Sequence, residues 1–436
     1  MGRPMNEPPD DSDGKVHDLF AGKGGGQNRG VHRVMQLITK GDKGPHNTIK
    51  NLLVILAHDP PLARMVGFDD FTSQHLLLRA PPTIEDDAAG LPGPYPRPWG
   101  VADIALVQSY VQGVWITKAT ARDVETAMIA TAEHNRFHPI RDWLASLKYD
   151  GKPRLNTWLH KAFGCPKDEY HNAISAKILI AAVRRIRQPG CKFDHLPVLE
   201  GPQGIGKSSV IKRLFGERWF SDAIPEELAS RDAAMALLGV WALEFAEIQH
   251  LIRAEVEVIK AFLSRSTDRY RPPYAKAYVE RPRQGVLIGT TNATDYLRDT
   301  SGNRRIWPIM CAFADVEWVT ANRDQLWAEA AAREASGEAI WLDDTSVVEQ
   351  AAEHQADRMA EDVWADRIQE WLRGRVEVRI PDVLTNALSI PAERQGKREE
   401  MRVASILQAE GWERRLERPP GGGKPRRFWS RVVRLL

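Results

Sequence analysis

The chain has 436 residues, 43% of them hydrophobic and 27% charged, with a formal net charge of +2. That length accommodates two or three domains, and the composition is that of a soluble globular protein, which sets aside fibrous and wholly disordered classes. No window supplies the ~18 consecutive apolar residues of a membrane span, Met1–Lys15 lacks the apolar centre of a signal peptide, and three scattered cysteines (Cys165, Cys191, Cys311) suit neither a disulfide framework nor a zinc site, so a cytoplasmic protein without a membrane partner is expected.

Residues 1–45 are rich in Gly, Asp and Lys, with little periodicity before Val31–Ile38, and are expected to be disordered or loosely ordered. The run Gly22–Gly26 reads as a linker, because no Gly-Lys-Ser ending follows its glycines. Residues 46–170 form an expected, mainly helical N-terminal domain, with helices over Thr48–Ala57, Asp103–Gln112, Ala121–Glu133 and Pro139–Leu147. Six prolines between Pro81 and Pro98 exclude regular structure from Ala80–Trp99.

Residues 171–345 read differently. A helix over Ile174–Ile186 stops at Gln188-Pro189-Gly190, and Leu196–Glu200 is a short apolar strand. Strands then alternate with helices to about residue 310, the pattern of an open, largely parallel α/β sheet, before a further helix over Asp324–Ala335. Residues 346–436 are a separate basic unit. Helices over Trp364–Arg373, Ile380–Leu388 and Arg398–Glu410 precede an apparent hairpin of Trp412–Glu417 and Arg426–Val432, the plan of a winged helix. From Arg402 onward nine Lys/Arg stand against three acids, which suits a polyanionic partner.

Chemistry concentrates in residues 171–345. Gly201, Pro202, Gln203, Gly204, Ile205, Gly206, Lys207 and Ser208 satisfy G-x-x-x-x-G-K-[ST], and Ser209 opens the next helix. Small residues let backbone N–H groups turn onto phosphates, the Lys207 amine neutralises them, and the Ser208 hydroxyl suits Mg²⁺. With strand Val198–Glu200 before it and Ser209–Phe215 after, the motif predicts an ATP site in a P-loop NTPase core. The strand after Val240 carries Glu244, suited to the Mg²⁺ shell, and Glu247, suited to orienting the attacking water. Gly285–Asn292 is a third strand, ending in an amide at Asn292 that can sense the γ-phosphate. Arg304 and Arg305 on the following loop suit an arginine finger, with Arg305 slightly preferred and Asp299 a partner for the other. Between the second and third strands, the cations and aromatics of Lys260–Tyr274 suit either a loop touching nucleotide or a DNA backbone or a packed, salt-bridged insertion.

Together these residues resemble the virulence-associated protein E family, P-loop ATPases of phages and mobile elements related to superfamily 3 helicases and often fused to a primase. The resemblance spans roughly residues 45–345 and includes Phe137–Pro139, Tyr149–Arg154, Pro189–Lys192, Trp241–Glu247, Asp268–Arg271, Thr290–Asn292, Tyr296-Leu297 and Gly302–Pro308. It implies an AAA-like core, action as a homo-oligomeric ring such as a hexamer, and a role in element replication. Under it Glu244, Glu247, Asn292 and Arg304/Arg305 fall at the metal, catalytic, sensor and finger positions. Tyr149 replaces a frequent Trp of the family. No primase region is recognisable, so a separate primase is implied. The leading expectation is an ATP-dependent DNA helicase or translocase acting on single-stranded or forked DNA. An ATPase switch or a DNA-binding initiator that remodels a replication or defence complex without unwinding is the alternative.

Overall fold

The computed structural model describes residues 27–41, 44–83, 94–224, 227–228, 230–271, 277–297, 303–359, 363–417 and 426–431. The expected linker at Gly22–Gly26, the hairpin turn near Pro419–Gly423, and Asp299 lie outside these residues. The chain divides into two compact units, residues 1–148 and 149–436. Among the described residues, no helix is long and apolar enough to cross a membrane.

In the first unit, helix Ile49–His58 begins at Thr48, whose side chain accepts from the Asn51 N–H and satisfies one of the unpaired N-terminal donors. It buries Leu52, Ile55 and Leu56, whose 3–4 residue spacing makes one apolar face. Helices Val101–Val114 and Ala121–His134 join that core. Residues 27–45, expected to be loose, instead include helix Gln27–Leu37, because Val34 and Ile38 are buried in the same core. The helices accompany a small four-stranded sheet that the sequence reading lacks, in the order 97–98, 74–77, 66–69, 136–137. Its edge pair at Arg97–Pro98 also corrects the expectation that Ala80–Trp99 is wholly irregular.

 The prolines there leave Leu76 and Leu77 to supply the other half of the ladder.

The second unit is built on five parallel strands: β1 (Leu196–Glu200), β2 (Phe220–Ser221), β3 (Ala242–Phe245), β4 (Val286–Thr291) and β5 (Ile306–Met310). Their spatial order is β5-β1-β4-β3-β2. β1, β3 and β4 are buried along their whole length, which explains their continuous apolar runs. Helices α1 (Glu169–Arg187), α2 (Lys207–Phe215), α3 (Ile248–Ser264), α4 (Val316–Ala335) and α5 (Thr345–Ala356) accompany the sheet. α4 starts well before the expected Asp324, capped by the Asp315 side chain on the Trp318 N–H.

Three aromatic rings tie these helices to the strand that carries Glu244. Trp241 lies 4.2 Å from Trp327 between ring centroids, and Phe215 meets both edge-on. The Trp241 indole donates to Ala182 O of α1, and Trp327 donates to Leu214 O of α2. Both indoles are therefore buried with their N–H groups satisfied, as burial demands.

Between α3 and β4 the chain forms an antiparallel hairpin of Thr267–Tyr270 and Val279–Pro282. Buried Arg283 grips buried Asp268 through two hydrogen bonds at its base. The C-terminal piece has its own core around Ile368, Leu384, Val403, Trp412 and Trp429. Helix Ala365–Leu372 and helix Lys397–Ala409 agree with expectation, but Ile380–Leu388 is one short α-turn followed by a π-turn at Val383–Ala387. Strand Trp412–Glu417 pairs with Arg426–Arg431, which also pairs with Glu377–Val378.

Trp241→Ala removes the ring shared by three helices, and a large-to-small change of this kind costs about 3–5 kcal/mol. Equilibrium urea unfolding should show that loss, whereas Trp341→Ala, at a ring 53% exposed, should stay near wild type.

Candidate functional site

The candidate site lies at the carboxyl edge of the sheet, where β1 ends. Gly201 has φ +154°, and a Cβ there would stand 2.5 Å from Cys311 O, so the close passage of two backbones requires glycine. Gly204 and Gly206 follow with φ +81° and +97°, the left-handed region that lets the loop curl back on itself. α2 then starts at Lys207 with no side-chain cap, leaving its first N–H groups to other acceptors. Pro202, Gln203, Gly204, Ser208 and Ser209 are exposed, and Ile205 is half-buried. The Lys207 ammonium crosses the loop and donates to Gly201 O and Pro202 O, each at 2.8 Å. Burial lowers its pKa, opposed by the Glu244 carboxylate.

Glu244 rises from β3, two strands away from β1, and is 1% exposed. Its Oε1 accepts from Ser208 Oγ and from Thr290 Oγ1, both at 2.7 Å. Its Oε2 is buried and, among the described residues, has no hydrogen-bond partner. An unpaired carboxylate oxygen in a buried position is costly unless something compensates it. Together with the Ser208 hydroxyl it offers the hard oxygen donors that Mg²⁺ prefers, so the residues fit that ion.

Glu247 occupies the junction between β3 and α3 in a left-handed conformation, φ 49° and ψ 47°, and is exposed. For a residue with a side chain this conformation is uncommon and concentrates at functional turns. Ile248, fully buried, anchors the helix that follows. Two residues into that helix, Gln249 accepts from Thr291 Oγ1 at 2.7 Å and approaches Asn292 Oδ1 with its Nε2 at 3.5 Å. Thr290, Thr291 and Gln249 are additions to the residues named from sequence. Each stands within two positions of a named one, which is the signal that could have found them.

The arginines lie elsewhere. β5 runs parallel to β1 with Ile306 opposite Leu196, so Arg304 and Arg305 precede the amino end of the sheet. The loop at Gly201 follows the opposite end, a strand length or about 15 Å away. Within one chain the structure does not bring these groups together. Arg305 donates to Asp194 Oδ2 at 3.1 Å, whereas Arg304 is exposed. Neighbouring His195 stacks on Trp307 at 4.3 Å, and burial pushes its imidazole pKa down to about 4.

A second network braces β1. Glu200, immediately before Gly201, is 4% exposed and accepts from Tyr296 Oη at 2.7 Å and from the Arg358 guanidinium at 3.0–3.1 Å. Arg358 O in turn accepts from Leu297 N at 3.0 Å. The segments before the loop and after Asn292 are thereby fastened to the chain that follows α5. Among the described residues Asp168, His171 and His354 also bring ligand-type atoms together. Asp168 is already engaged there, capping α1 and accepting from His171 Nδ1.

Residues 144–360 match the model of the virulence-associated protein E-like domain. Among solved structures, the chain is similar to an A-form apo structure of the NrS-1 C-terminal region (305–718), at 16% identity over 66% of this chain and 78% of that one, with a TM-score of 0.35. A second apo structure of the same region matches at 15% identity over 84% and 96%, with a TM-score of 0.37. No curated protein matches.

His195 yields a pH prediction. Its folded pKa lies below the unfolded value of 6.5, so the unfolded chain binds the extra proton between about pH 4 and 6.5. Stability should therefore fall as pH drops through that window, by up to about 1.4 kcal/mol per pH unit from this group. His195→Phe, which keeps a ring over Trp307, should flatten the slope in urea unfolding at pH 4.5–7.

Proposed function

Because residues 144–360 belong to the virulence-associated protein E-like family, we propose that this chain is an ATP hydrolase that moves or separates DNA strands during replication of a phage or other mobile element. The convergence of Ser208 and Thr290 on the buried carboxylate of Glu244 carries the reading. A loop-helix hydroxyl, an acid on β3 and a hydroxyl on β4 meet beside a glycine loop that ends in a lysine. That is the equipment needed to hold a triphosphate and its metal.

In this reading the N–H groups of residues 201–208 and the Lys207 ammonium bind the β- and γ-phosphates of ATP. Ser208 and Glu244 hold Mg²⁺, which when bound offsets the phosphate charge. Glu247 orients a water in line with the γ-phosphorus and takes its proton as the bond to the β–γ bridging oxygen breaks, giving ADP and phosphate. Asn292, braced by Gln249, contacts the γ-phosphate or the water. The remaining need is a cation on the transferring phosphoryl group. Arg304 suits it, because Arg305 is occupied by Asp194. The opposite-edge position of Arg304 supports delivery to the next subunit's ATP, so turnover requires a homo-oligomer in which one patch meets a different patch, as in a ring.

DNA contacts fall to two hairpins. Thr267–Pro282 presents Arg269 beside Tyr278, an aromatic 65% exposed. The C-terminal hairpin, read as the wing of a winged helix, exposes Arg414, Arg415, Arg427 and Arg431 for phosphates.

A complementation assay tests the reading. Lys207→Ala subunits lack the phosphate cation but keep Arg304, and Arg304→Ala subunits have the reverse defect. Each alone should lose DNA-stimulated ATP turnover by at least about 100-fold. Co-assembled one to one, they should recover about a quarter of wild-type turnover, because a quarter of neighbour pairs join an intact loop to an intact arginine. Turnover by Lys207→Ala alone contradicts the loop assignment, and a mixture as inert as its parts contradicts delivery between subunits.

A further inference from the structure

The segment that follows β5 forms a wall beside the glycine loop. Cys311 N donates to Glu200 O at 2.7 Å, Ala312 N and Phe313 N donate to Phe163 O at 2.8 and 3.3 Å, and Asp315 N donates to Ala162 O at 2.8 Å. Asp315 then caps α4. The wall lies against both ends of the loop: Cys311 O excludes a side chain at Gly201, and Ala314 Cβ would stand 3.5 Å from a Cβ at Gly206. A backbone held at so many successive positions is rigid, and a side chain on it is aimed.

The side chain in the middle of this wall is Phe313, 48% exposed. One side of its ring rests on Gly164, the left-handed cap (φ +66°) that ends helix Trp158–Phe163. A Cβ at Gly164 would come within 2.5–2.8 Å of the Phe313 ring atoms, so glycine there makes room for the ring. Phe313 is therefore an aromatic supported from behind, partly open to solvent, and one residue from the alanine that abuts the loop. Nothing in the phosphate chemistry of residues 201–208 needs it, and an exposed ring on a fixed backbone suits a planar partner.

We propose that the open face of Phe313 stacks on the base of the nucleotide whose phosphates lie on residues 201–208, favouring purines over pyrimidines by their larger ring area. The proposal rests on the reading of that loop as a nucleotide site, and it adds what the loop lacks: a contact that distinguishes a nucleotide from a bare polyphosphate. Stacking of a base on an aromatic side chain is tolerant of base identity, so the preference is graded.

The test is binding of Mg·ATP, Mg·CTP and inorganic tripolyphosphate to the full chain by calorimetry. Phe313→Ala should weaken ATP about tenfold, narrow the gap between ATP and CTP, and leave tripolyphosphate within about twofold of wild type. Phe313→Tyr, which keeps the ring, should retain ATP binding, and its melting temperature guards against misfolding. Unchanged ATP affinity in Phe313→Ala overturns the stacking proposal while leaving the loop reading intact. Equal loss of ATP and tripolyphosphate in that variant also overturns it, since the ring would then act on the loop and not on the base. Wild-type tripolyphosphate binding that survives Lys207→Ala would remove the loop reading, and the stacking proposal with it.

Discussion

The buried carboxylate of Glu244 is the constraint around which the second unit is organised. β3 carries it into the interior, two strands from the glycine loop, and Ser208 from α2 and Thr290 from β4 both turn their hydroxyls onto its Oε1. One acid thus couples the helix after the loop to two strands of the sheet. Its other oxygen lacks a partner among the described residues, a situation that proteins tolerate where a bound cation completes the group. The tryptophan and phenylalanine cluster behind β3 fixes the strand's depth, so stability and the position of the acid share the same packing.

The parallel register of β5 on β1 has a different consequence. It sends the chain from Asn292 at one edge of the sheet to Arg304 at the other, a separation that side-chain length cannot close. Within one chain, Arg304 and Arg305 therefore stand apart from the glycine loop. The Glu200–Arg358–Tyr296 network ties the loop strand to the segment that follows α5.

Much of this was legible in the sequence because it is local. The glycine spacing before Lys207, the apolar runs of β1, β3 and β4, and the polar residues closing them are each confined to a few consecutive positions. The C-terminal hairpin was visible for the same reason, as two short segments flanking the Pro-Gly run at 419–423. What escaped the reading depends on residues far apart in the chain. Gln249 matters through Thr291, 42 positions on. Arg358 matters through Glu200, 158 positions back. Arg305 pairs with Asp194, 111 positions away. The small sheet of the first unit has strands of two to four residues, too short for alternation to show. Residues 27–37 carry little local signal because their helix is polar on most sides and is held by Val34 in a core built from later segments.

The role proposed for Glu244 and Ser208 is to hold a divalent cation for a triphosphate lying on the glycine loop. The most direct measurement compares ATP affinity with Mg²⁺ and with EDTA in wild type and in Glu244→Gln, whose amide still accepts from Ser208 and Thr290 but carries no charge. Wild type should bind at least about tenfold more tightly with Mg²⁺, and Glu244→Gln should lose that difference while still binding metal-free ATP. The same Mg²⁺ dependence in both proteins would contradict it.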